Sequence, residues 1–202
     1  MISRRWLVPM IAAQVIEFDS GGLHYLTQTR NGVTVMFAHL PLHVRDYSVI
    51  QVAISNGSSQ TWTFRPQDFH FDRGDGSPHN ALTAQTVVNE FLKHGGRDDV
   101  IKLVTAYESG LYGMPKIRST NGYEQRRQSV IAELTNTRLK AAAAASAIAL
   151  VPVKLKPGES TDGAVFFATG VKSLGSGKLI AEAGGTVFEY ETTAPEWKHS
   201  DR

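Results

Sequence analysis

The chain has 202 residues, 42% of them apolar and 20% charged, a mix that lies far from the low-hydrophobicity, high-charge signature of disorder. Its 21 basic and 19 acidic residues leave a formal charge of +2, with no basic run or stripe of the kind that grips a phosphate backbone, so nucleic acid is not an expected partner. Cysteine is absent, which removes disulfides, thiolate chemistry, iron–sulfur clusters and cysteine zinc sites together.

In chain order, Arg4 and Arg5 precede a short apolar run, Trp6 to Ala13. A basic start, an apolar segment and small residues at Ala12 and Ala13 follow the order of an export signal, and about eight apolar residues are too few to span a bilayer. Residues 1–20 are therefore expected to be an N-terminal arm, a leader or a membrane-surface contact. Two β-rich runs, 23–29 and 33–39, flank Asn31-Gly32, the preferred chemistry of a type I′ hairpin turn. Residues 47–55 alternate Ile50, Val52 and Ile54 onto one face before the turn residues Asn56-Gly-Ser-Ser59, and Trp62 and Phe64 share one side of a further strand.

Past the Gly74–Pro78 break the period becomes helical. One helix is expected over 80–93 with Ala84, Val88, Phe91 and Leu92 on its buried face. A second is expected from Asp98 and Asp99, which suit the positive end of a helix, to about Gly110. A loop over 111–122 leads to a long third helix from about Tyr123 through Ala141–Ala145, with Val130, Ile131 and Leu134 buried. Strand chemistry returns at 149–155, where Pro152 demands an edge or a strand start, then at 164–168 and in a hairpin, 178–182 with 186–190, around Gly184-Gly185. About four strands on each side of the helices are too few to bury a core separately. The expectation is a mainly β protein: one antiparallel sandwich over 21–192, interrupted by a helical insertion at 76–147 and followed by a tail at 193–202.

The segments VIQVAISNGSSQTWTFRPQDF (49–69), VPVKLKPGESTDGAVFFATG (151–170) and GGTVFEYET (184–192) resemble a broad class of bacterial cell-envelope proteins with an immunoglobulin-like sandwich. The shared features are Asn56-x-Ser58 at a strand end, Phe64-x-Pro66-x-x-Phe69, and Pro157-Gly-Glu-Ser160 leading into Gly163-x-Val165-x-Phe167. The resemblance implies a periplasmic or otherwise extracytoplasmic, non-catalytic module, often accessory to a larger assembly. The class's lipid-anchoring cysteine is missing here.

Chemical motifs are sparse. His39 and His43 are four apart, but Pro41 lies between them and argues against the helix that would let both bind one metal. The loop Asp72-Arg-Gly-Asp-Gly76 lacks the acidic spacing and distal glutamate of a calcium loop, and its Arg73-Gly74-Asp75 tripeptide is too short to specify an adhesion motif. Gly170–Gly177 lacks the Gly-Lys-Ser/Thr ending of a phosphate loop, and Gly175-Ser-Gly177 has the wrong spacing for a nucleophile elbow. No cofactor and no catalytic residue is expected. Trp6, Tyr107, Leu111, Tyr112 and Met114 are the expected interface residues of an extrinsic subunit docking on a membrane protein complex through the helical insertion and the arm. The alternative expectation is a small-ligand or glycan site built from Trp62, Tyr107 and Tyr112.

Overall fold

The computed structural model describes residues 14–20, 23–74, 78–113, 122, 123, 125, 136–170 and 174–192, with backbone alone at 39–42 and at 112 and 113. The expected arm before residue 14, the buried positions Val130, Ile131 and Leu134, and the tail after Thr192 lie outside the described residues. Mainly β structure with antiparallel sheets and three helices is what the remainder forms.

The first sheet has five strands in the order β1 (Val15–Ser20), β2 (Leu23–Arg30), β3 (Val33–Val44), β4 (Tyr47–Asn56), β9 (Ser160–Ala168). Asn31 and Gly32 join β2 to β3 with φ of 51° and 76°, the left-handed pair that a type I′ turn requires. Strand β3 continues through Pro41, and its register with β4 shifts between His39 and His43, where proline can donate no ladder hydrogen bond. Strand β1 corrects the expectation of an arm running to residue 20: Val15 to Ser20 pair antiparallel with β2 along their whole length.

A four-stranded sheet follows the order β11 (Thr186–Thr192), β10 (Gly177–Ala183), β6 (Phe69–Asp72), β7 (His79–Asn80), and β5 (Trp62–Phe64) pairs with β8 (Val153–Leu155) in a small ribbon. Among the described residues, seven strands thus precede the helices and four follow. The two groups interlock, because β4 pairs with β9, β5 with β8 and β6 with β10. Between the sheets lies a core that includes Val35, Phe37, Val52, Phe71 and Phe188. The ring of Phe37 meets Tyr190 edge-on at 4.4 Å, and the Tyr190 hydroxyl donates to the Val35 carbonyl at 2.7 Å.

The helices form a third layer on the opposite face of the five-stranded sheet. Helix α1 (Ala84–His94) starts at Thr83, whose side chain accepts from the Thr86 amide; α2 spans Arg97–Gly113, and α3 spans Thr137–Ile148. Asn80 belongs to β7 rather than to the helix expected there, since the Thr83 cap fixes the start. The buried face of α1 is Val87 and Phe91 with Val88 at its margin, while Leu92 is exposed: the stripe follows i, i+3, i+4, i+7 from Ala84 and excludes position 92. Tyr123 and Gln125 are helical, but α3 begins afresh at Asn136, whose side chain accepts from the Arg138 and Leu139 amides, so the expected single helix into the alanine tract has a second N-terminus. Six residues of α3, five of them alanines, are buried, and the helix packs against both α1 and α2.

A sheet covered on both faces explains the near-continuous burial of β4 and β9. On β4, Ile50, Val52 and Ile54 face the second sheet, and Val49 and Ala53 face the helices.

Candidate functional site

Helix α2 turns one face inward. Leu103, Tyr107 and Gly110 lie buried against the five-stranded sheet, at spacings of four and three that share a helical face. Its first turn is fixed by Asp99, which accepts from the Gly96 amide at 2.8 Å and from the Arg45 guanidinium at 3.1 Å. Arg45 stands in the β3–β4 turn with φ of 55°, so one ion pair ties a hairpin tip to the start of the helix.

Beneath the helices lies a polar seam. The Tyr107 hydroxyl donates to the carboxylate of Asp162 on β9, the Tyr25 hydroxyl donates to the Gly110 carbonyl at 2.8 Å, and the Tyr123 hydroxyl donates to Glu108 at 3.1 Å. Gln51, fully buried on β4 between Ala38 of β3 and Ala164 of β9, presents an amide with no hydrogen-bond partner among the described residues. Desolvation raises the Tyr25 hydroxyl above the ordinary tyrosine range, which keeps it a neutral donor.

Beside this seam, between α2 and α3, a groove of about 520 Å³ opens to the outer surface. Val104, Tyr123, Ala144, Ala147 and Ile148 contribute its wall, and Ile101 stands at its mouth with 53% of its surface in water. Arg97 and Lys140 also line it, and its described lining contains no carboxylate. Neither cation has an ion-pair partner among the described residues. A smaller pocket of about 210 Å³, at the open edge between the sheets, is lined by Glu17, His24 and Glu191 with Phe37 and Leu179 behind them. His24 there lies 2.8 Å from Asp19 and 3.5 Å from Glu17.

The expected interface residues separate. Tyr107 is wholly buried in the seam, and Leu111 is partly buried against the same core. Trp6 and Met114 lie outside the described residues, as does the side chain of Tyr112. Trp62 and Tyr107 do not come together either: they belong to cores on opposite faces of the five-stranded sheet, and Trp62 donates to Ser58 at 3.0 Å. The histidines stay apart from any ligand set. His43 donates to the Gly170 carbonyl at 2.6 Å, and no three histidine or carboxylate side chains among the described residues converge as metal ligands would. Arg73 is engaged with the Leu174 carbonyl at 3.1 Å, and Asp75 lies outside the described residues. The groove was not foreseen from sequence, although Arg97, Ile101 and Lys140, polar and apolar residues on neighbouring helix faces, are its signal.

No family model and no curated protein matches the sequence. Among solved structures, the yjhA protein from Bacillus subtilis is similar at 9% identity over 82% of this chain and 76% of that one, with a TM-score of 0.32. A likeness that low carries no argument about fold or function.

Proposed function

We propose that the protein is a non-catalytic interaction module that docks on a partner protein through the α2–α3 face of its helical layer. The observation that supports this is the groove of about 520 Å³, with apolar walls and an open mouth at a half-exposed isoleucine. Leu139 on α3 and Leu92 on α1 are also exposed, at 44% and 39%, so each helix leaves one large apolar side chain in water. Burying such a surface is the ordinary driving force of association. In this reading the sandwich is immunoglobulin-like in type and serves as a rigid platform. The strand and turn motifs that resemble envelope proteins support its reading as an extrinsic, extracytoplasmic accessory subunit of a membrane complex.

A photo-crosslinking residue placed at Ile101, compared with one at Val187 on the far sheet, tests the reading in intact cells. A discrete adduct from position 101 that fractionates with membranes, and none from position 187, is the expected result. Adducts from 187 alone, or a protein free of adducts in the soluble fraction, overturn it. The groove's volume also lies within the span of small-molecule pockets. That supports a second reading, an apolar small ligand, whereas a glycan platform of Trp62 with Tyr107 has no support in their positions.

A further inference from the structure

We propose that the groove takes an amphipathic α-helix of the partner whose apolar stripe is flanked by acidic residues; this rests on the docking reading above. Two observations carry it. The lined stretch of α3 runs from Thr137 to Ile148, about 16 Å or three helical turns at 1.5 Å per residue, enough for a short helix to lie along it. The charge is one-sided: Arg97 on α2 and Lys140 on α3 line the groove, with no described acidic residue among the lining and no ion-pair partner for either.

A cation left unpaired beside an apolar wall selects an anionic partner. It discriminates through steering and through the cost of burying like charges together. The exposure of Ile101 chooses between a helix and a free acyl acid, which offer the same pairing of apolar body and carboxylate. A single chain lying within the groove would leave the outer side of Ile101 in water, whereas a helix lying across its mouth covers it.

The test is selection from a displayed library of 16-residue helices with leucine fixed at i, i+3, i+4 and i+7 and the flanking positions randomised. It is run on the full chain, on Ile101→Asp, and on the double variant Arg97→Glu with Lys140→Glu, each verified as folded by circular dichroism. Enrichment of Asp and Glu at the flanks on the wild type, reversal to Lys and Arg on the double variant, and loss of enrichment on Ile101→Asp are expected. Should the double variant not fold, Lys140→Gln is expected to weaken the selected helix about fivefold, an effect that added salt diminishes. Helices that enrich with no preference at the flanks overturn the acidic partner and leave the docking reading standing. Failure to enrich any helix overturns both, and saturable binding of dodecanoate in that case assigns the groove to a small amphiphile.

Discussion

The amide of Gln51 is the least comfortable group in the core. It is fully buried on β4 between Ala38 and Ala164, and its nitrogen and oxygen have no hydrogen-bond partner among the described residues. A buried polar group left unpaired costs about 1–3 kcal/mol, so Gln51→Met, similar in volume, should stabilise the protein by about 1–2 kcal/mol in urea unfolding. A loss of stability would show that the amide is paired after all. Tyr190 makes the opposite case, a polar group well housed. Burial pushes its hydroxyl far above the ordinary value of 10.0, so the folded state holds the neutral phenol that bonds Val35. Its contribution is complete below pH about 10, where the unfolded tyrosine is also neutral, and falls as the pH climbs beyond that and the unfolded chain ionises. Tyr190→Phe should cost about 1 kcal/mol at neutral pH and flatten the decline of unfolding free energy above pH about 10; an unchanged alkaline slope would count against this.

At the scale of elements, what was legible in the sequence was what neighbouring residues decide. The Asn31-Gly32 hairpin, the alternation of Ile50, Val52 and Ile54, the closing hairpin around Gly184-Gly185 and the placing of α1 and α2 all follow from local chemistry. Pairing between distant segments was not legible. Residues 15–20 read as an arm because their pattern is weak, and only the register with β2 makes them a strand. The ribbon of β5 with β8 is invisible for the same reason, as is the layer that α3 occupies: an alanine tract has no contrast from which to read a face. The site divides in the same way. Tyr107 stands out in the sequence as an aromatic, but the carboxylate that accepts from its hydroxyl, Asp162, lies 55 positions away. Asp99 marks a helix start in the sequence, and the structure adds the ion pair with Arg45. Because Asp99 both caps α2 and accepts that pair, Asp99→Ala should destabilise the protein by about 1–2 kcal/mol in thermal or urea unfolding. A loss under a few tenths would mean that α2 is held by its packing alone. A second local device is Gly163 on β9, where an added Cβ would stand 2.8 Å from the Leu150 Cα, so that the chain leaving α3 can cross the strand. Gly163→Ala is expected to cost about 1–3 kcal/mol, measured in the same way.

At the scale of the molecule, three layers divide the labour. The sandwich core of Phe37, Phe69, Phe188 and Tyr190 and the helix-facing core of Phe91, Tyr107 and Phe166 hold one sheet between them. A sheet anchored on both faces is a stiff platform, and the helical layer above it carries the open groove. In the proposed function, recognition happens at that groove. NMR titration of the isotope-labelled full chain with the acidic amphipathic helix selected above follows it residue by residue. Shifts confined to the amides of residues 97–105 and 137–148, with β10 and β11 unmoved, are the predicted result. Shifts centred on the sandwich edge around Glu17, His24 and Glu191, with α2 and α3 silent, would contradict it.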